Sequence, residues 1–190
     1  MSVFAIVILA VVVVAVVWTV MTYNSLVNLK HAVSKAWSNI DVLLKQRHDE
    51  LPKLVETCKQ YMKFEQETLT KVMEARSKVF AAREAQNIPQ LGQAEGALRA
   101  TLGSLFALAE AYPDLKTNQT FQQLQTRISS LENGIADRRE FYNESVNVNN
   151  VRIEQFPDSI IAGMFRFQEK PLLEFASAEK ADVDMKALFG

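Results

Sequence analysis

Two histidines, one cysteine and a few charged residues set on apolar stripes are where chemistry would have to reside. His31, His48 and Cys58 are metal-ligand types, but the chain has no H-E-x-x-H and no pair of histidines at helical spacing. No metal and no cofactor is expected. His48, followed by Asp49 and Glu50, suits a solvated polar turn, and Cys58, on an apolar stripe, suits a small buried hydrophobe. There is no G-x-S-x-G, and Gly92 and Gly96 fall within a helical pattern and not after a strand. Neither a nucleophile elbow nor a phosphate-binding loop follows. No residue is assigned a catalytic role, and the chain reads as a non-enzyme.

Three groups of residues remain for binding or structure. Glu65 and Arg76 lie in line with Cys58, Leu69 and Phe80, and Arg138 and Asn149 in line with Ile135 and Tyr142. Glu65 and Arg76 are about 16 Å apart along a helix, so their partners must come from other helices or water. These four residues are expected to form a structural polar network that fixes helix register; the sharper alternative is an enzyme site built from Glu65, Arg76, Arg138 and their neighbours. Gly92, Gly96, Ala100, Gly103 and Ala107 trace a small-residue strip that suits close packing of helices, within one bundle or between copies. Tyr23-Asn24 and Tyr142-Asn143 are expected to meet as a membrane-proximal polar cluster.

The elements that must position these residues begin with a hydrophobic run. The chain has 190 residues, and all of its 21 basic and 22 acidic residues lie from Lys30 onward. Val3 to Met21 is uncharged and apolar, and as a helix it covers roughly 28 Å, about the thickness of a bilayer core. Helix is the expected form, because an unpaired backbone in lipid costs several kcal/mol per group. Trp18 and Tyr23 stand where an interfacial aromatic belt would lie. A cleaved signal peptide fits poorly: no basic residue precedes the run, the run is long, and no A-x-A site follows. Lys30, Lys35 and Lys45 after the run place the C-terminal part in the cytoplasm by the positive-inside rule, with a short N-terminus outside the cytoplasmic membrane.

Leu26, Leu29, Val33, Ala36, Ile40 and Leu43 continue the run as a helical stripe to about Arg47. The acidic pair and proline at Asp49-Glu50-Leu51-Pro52 predict a second helix to about Gln86, with Leu51, Val55, Cys58, Met62, Leu69, Met73 and Phe80 on its apolar face. Asn87-Ile88-Pro89 predicts a third, through Leu91, Leu98, Leu102, Leu105 and Leu108, stopped at Tyr112-Pro113. Asp114 is the expected cap of a fourth, carrying Phe121, Leu124, Ile128, Leu131, Ile135, Tyr142 and Val146. Short connections pack such helices antiparallel. The expected fold is all-α: an N-terminal transmembrane helix (1–22) continuous with an up-and-down, coiled-coil-like bundle of about four helices (23–156), then a docked C-terminal segment with a flexible tail (157–190).

Ala36-Trp37-Ser38-Asn39-Ile40-Asp41-Val42-Leu43-Leu44-Lys45, Arg47-His48-Asp49 and Pro52-Lys53-Leu54-Val55-Glu56-Thr57 closely resemble the LemA family, as do Tyr112-Pro113-Asp114-Leu115-Lys116, Glu132-Asn133, Phe141-Tyr142-Asn143 and Phe156-Pro157. The resemblance covers nearly the whole chain. It implies a bacterial single-span membrane protein with a helical bundle and no assigned reaction, and it suggests a membrane zinc protease of the HtpX type as a neighbour.

The net charge of -1 gives no large basic field, so nucleic acid is not an expected partner. The expected partners are the lipid bilayer, further copies of the chain as a homo-oligomer, and the membrane protease. The leading reading is a membrane-anchored scaffold or adaptor that self-associates. The alternative is a regulator or substrate-delivery partner of that protease.

Overall fold

A computed structural model describes residues 2–175. Among them the chain is helical without a strand: α1 Val3–Tyr61, α2 Gln66–Glu84, α3 Ile88–Ala109, α4 Pro113–Lys116, α5 Gln119–Glu154 and α6 Asp158–Met164. The expected all-α bundle with a long apolar N-terminal helix is what forms. The tail beyond Phe175, expected to be flexible, lies outside the described residues. The chain divides into two compact units, Met1–Ile40 with Asp137–Leu172, and Asp41–Ala136 with Leu173–Gly190.

In the first unit, α1 is long and apolar enough to cross a membrane, and its apolar stretch is exposed along its length. Past that stretch, Leu26, Val33, Ala36 and Ile40 turn inward, and so do Tyr142, Val146 and Ile153 of α5. Leu26, Ile153, Ile161 and Ala162 form a cluster on which Trp18 and Phe167 pack, which brings α6 to the last turn of the apolar stretch. Asp158, 6% exposed, opens α6; it accepts a hydrogen bond from Thr22 at 3.4 Å and pairs with Arg152.

The second unit differs from the expectation at one instructive place. Asp49–Pro52 does not start a new helix: α1 runs straight through Pro52. A proline in a helix interior removes the N–H that would serve the carbonyl four residues back, here that of His48. Arg76 of α2 supplies the missing donor, its Nε reaching the His48 oxygen at 2.9 Å. The same guanidinium sets Nη2 at 2.6 Å from His48 Nε2, so that ring nitrogen is the unprotonated acceptor. Phe80 closes the other side, its ring centroid 4.8 Å from that of the imidazole. Two turns of α2 further on, Arg83 grips Asp41 with two bonds of 2.5 and 2.8 Å.

The break falls later, at Met62–Glu65, where Met62 is buried and Phe64 is 95% exposed. Restarting the helix there shifts its phase. The buried stripe of α2 is Leu69, Val72, Ala75, Val79 and Ala82, and Phe80 is partly exposed against the expectation for an unbroken helix. Gln86, at φ 51°, turns the chain after α2, and the Asn87 side chain caps α3 by accepting from Gln90 N at 3.1 Å. Asp114 lies inside the short α4; Asn118 caps α5 instead, accepting from Phe121 N at 3.0 Å. Asn118 also donates to the Tyr61 hydroxyl at 3.0 Å, tying the end of α1 to the start of α5.

The C-terminal segment of this unit docks on α3. Leu173 and Phe175 are buried, and a Cβ on Gly92 would run into the Glu174 carbonyl. Glycine is required there by close backbone approach, not by its φ.

Three outcomes follow. Arg76→Met leaves the His48 carbonyl without its donor and lowers stability by about 1–2 kcal/mol, read by thermal unfolding of the full chain in detergent. In a Pro52→Ala background the restored backbone N–H takes over, so the same substitution costs less; equal losses in both backgrounds would refute the compensation. Burial, and secondarily Arg76, hold the His48 imidazole below its ordinary value of 6.5. Its contribution is therefore complete above that unfolded-state value and lost as pH falls through it toward the folded value. His48→Gln should flatten the acid slope of stability across that window relative to the parent. Finally, Gly92→Ala should free the C-terminal segment, seen as faster chymotryptic cleavage at Phe175, whereas unaltered cleavage would mean that the Glu174 contact is dispensable.

Candidate functional site

The most enclosed polar group in the second unit is a charge cluster that sequence reasoning missed. Arg47 and Glu95, each 2% exposed, form an ion pair, and Glu132 Oε1 lies 3.9 Å from the same guanidinium. Burial pushes the Glu132 carboxyl up from its ordinary value, and the Arg47 charge opposes that shift. Arg47 Nε and Glu132 Oε1 have no hydrogen-bond partner among the described residues. Two carboxylates around one buried guanidinium specify register more than they add stability. Nothing marked this in the sequence, because Arg47 stood at the supposed end of a helix; it is in fact mid-helix, two turns before Leu54.

The residues proposed from the sequence as one polar network are placed with separate local partners. In the second unit, Glu65 precedes α2 and accepts from the Tyr112 hydroxyl at 3.2 Å, while Arg76 serves His48. In the first unit, Asn149 is 2% exposed and donates to Asn150 Oδ1 at 3.1 Å, and Arg138 is exposed. Cys58 is fully buried and desolvation pushes its thiol up to about 12, which leaves it unreactive at neutral pH. Among the described residues no group of three or more His, Cys, Asp and Glu side chains gathers as a metal site would.

The Tyr-Asn pairs are also placed apart. Tyr23 packs against Phe165 and Phe167, with ring centroids 4.7 and 5.9 Å away. Tyr142 packs edge-on against Trp37, which lies roughly 21 Å further along α1. The Tyr142 hydroxyl donates to the Pro171 carbonyl at 3.0 Å, and Asn150 brackets Lys170, accepting from its N–H and donating to its carbonyl at 2.9 Å each. Tyr142 and Asn150 thus pin the segment that follows α6 to α5 at Lys170 and Pro171. Of the small-residue strip, Gly92 is buried under the C-terminal segment, Gly96 is half-buried, and Ala100, Gly103 and Ala107 face outward.

That pinned segment walls the cleft that is the candidate functional site. It measures about 380 Å³ and lies wholly within the first unit, lined by Tyr23, Val27, Lys30 and His31 of α1, Asn149 of α5, and residues 165–168 with Lys170. Lys30, His31, Arg166 and Lys170 are among its lining residues, and among the described residues no carboxylate lines it. Arg166 holds φ 56°, the left-handed region in which a side chain is unfavourable, at the turn that ends α6. The arrangement is suited to holding an anion against aromatic side chains; it has no nucleophile, and His31 is its one group of the usual acid-base type. Only Tyr23 and Asn149 among the sequence candidates line it. Lys30 and His31 lie over 130 residues from Arg166 and Lys170 in sequence, and no local spacing joins the two pairs.

Among known proteins, the chain is 28% identical over 166 residues to Protein LemA of Metamycoplasma hominis, covering 87% of this chain and 74% of that one. It is 36% identical over 84 residues to Magnetosome protein MamQ 2 of Paramagnetospirillum magneticum, and 34% to Magnetosome protein MamQ of Magnetospirillum gryphiswaldense. Those matches cover 41% of this chain and 31% of the MamQ proteins, so the chain spans under a third of their length. The LemA family profile matches residues 36–186, which takes in the Pro52–Arg76 device, the buried Arg47 cluster and the segment pinned on α5. On a match that extends through most of the helical part, the chain belongs to the LemA family.

Proposed function

We propose that this protein is a non-enzymatic, membrane-anchored helical scaffold that self-associates, with its helical units on the cytoplasmic side of the inner membrane. One observation carries the reading. The apolar stretch of α1 is exposed from Val3 to Val17, and its last turn is packed by α6 through Trp18, with Thr22 just beyond it bonded to Asp158. A stretch of that length, without a partner among the described residues over most of its length, needs lipid or other copies of itself. The absence of any residue from Met1 to Leu29 with a formal charge, and the lysines that follow, support the orientation. The MamQ relatives are named for a structure, the magnetosome, and not for a reaction.

The outward-facing part of the small-residue strip supports contact between copies. Gly103 has open space where a Cβ would stand, so no packing among the described residues requires glycine there, although it costs about 1 kcal/mol relative to alanine in a helix.

The deciding measurement is the native mass of the full chain extracted gently from its own membrane. A homo-oligomer that dissociates in Gly103→Leu while the melting point holds supports the scaffold. A monomer overturns self-association. A mass that requires a second protein, such as a membrane protease, overturns the scaffold in favour of an adaptor.

A further inference from the structure

The basic cleft and the surface beside it fit one ligand. Val3–Met21 covers roughly the hydrocarbon thickness, and Tyr23 and Lys30 lie two and nine residues beyond it on the same helix. At 1.5 Å per residue, the α1 wall of the cleft spans about 3 to 14 Å past the hydrocarbon edge. A headgroup layer occupies roughly the first 5–8 Å of that interval, and lysine and arginine side chains reach down toward it.

Beside the cleft, Phe156, Ile160 and Met164 are spaced four residues apart and are 82%, 52% and 66% exposed. Phe165 adds a half-exposed ring. Trp18, within the span, packs on the core beneath α6, so this apolar face meets the helix at the level where the bilayer begins. An apolar face continuous with a membrane span, flanked by converging cations, has the chemistry of a lipid surface.

We propose that the cleft lined by Lys30, His31, Arg166 and Lys170 binds the phosphate of an anionic phospholipid, while Phe156, Ile160, Met164 and Phe165 seat α6 in the bilayer surface. The proposal rests on the reading of Val3–Met21 as a membrane span. Lys30 and Lys170 supply point charges from opposite walls. Arg166 supplies a planar fork able to grip two phosphate oxygens. Arg166 lines the cleft in a left-handed backbone conformation that glycine would adopt without penalty. Tyr23 and Phe167 flank the glycerol region, where amphipathic and aromatic rings favour the interface.

The test uses the full chain, delipidated in detergent and offered phosphatidylglycerol and phosphatidylcholine in equal amounts, with bound lipid counted by native mass spectrometry. Phosphatidylglycerol should be retained preferentially. Each of Lys30→Gln, Lys170→Gln and Arg166→Gly should weaken that preference by about fivefold, the value of one basic residue at an anionic surface. Arg166→Gly should melt no lower than the parent, since glycine suits φ 56°, so its loss of lipid is not a loss of fold. Equal retention of both lipids, or variants indistinguishable from the parent, would overturn the site. Displacement of phosphatidylglycerol by glycerol 3-phosphate at equal concentration would overturn the lipid source and assign the cleft to a soluble phosphate. Carbonate extraction of membranes reads the span separately. A chain that resists extraction yet shows no lipid preference refutes the headgroup site alone, whereas a chain that is released refutes the anchor on which it rests.

Discussion

The hydrogen bond from Arg76 to the His48 carbonyl is what allows α1 to exist as one helix. Every other backbone carbonyl in the interior of α1 finds its donor four residues on, in its own strand of chain. Pro52 removes one donor, and a proline inside a helix costs about 3 kcal/mol if nothing compensates. Arg76 answers from α2, and because it is a fork it also holds the His48 ring, on which Phe80 lies. The repair therefore doubles as the clamp between α1 and α2, reinforced two turns away by Arg83 on Asp41. The defect and its repair both lie in the second unit, where a side chain remote in sequence mends α1 at its one interior proline.

That device explains where sequence reasoning succeeds and where it fails. Periodicity found the apolar faces of α3 and α5 because each runs unbroken from its cap: Leu91, Leu98, Leu102 and Leu105, and Phe121, Leu124, Ile128, Leu131 and Ile135, are all buried. At Pro52 the local rule, that a proline preceded by acidic residues starts a helix, lost to a tertiary contact that no window of sequence contains. The true break at Met62–Glu65 has neither glycine nor proline, and missing it carried the stripe of α2 out of phase by the time it reached Phe80. Arg47 was invisible as a buried residue for the same reason: at a helix end a charge meets water, whereas mid-helix it meets Glu95 and Glu132.

Polar residues in the two units serve different ends. In the second, buried Arg47 pairs with Glu95, and the half-buried Arg76 and Glu65 bond His48 and Tyr112, contacts that hold separate elements in a single register. These are groups whose removal leaves a partner stranded, which makes them structural before they are anything else. In the first unit, Asp158 is satisfied by Thr22 and Arg152, and Asn150 and Tyr142 are spent on the backbone of residues 170–171. What those bonds hold in place is a segment that turns its cations into a cleft and not into an ion pair.

The distinction bears on why so much apolar surface is left outward near α6. Phe156, Ile160 and Met164 gain nothing from exposure to water, and burying each against protein would contribute about 1.5–3 kcal/mol. A soluble bundle of this size has the means to cover them, since Ile161 and Ala162 of the same short helix are almost wholly buried. The division within seven residues is sharp: one side of α6 packs on Leu26 and Ile153, and the other stays apolar and bare. An amphipathic helix ordinarily sets a polar face against water. In α6 the outward face is not polar, and the helix is held at the last turn of an apolar stretch that water would solvate no better. The two surfaces therefore call for the same solvent, and it is the solvent of α1 that explains the composition of α6.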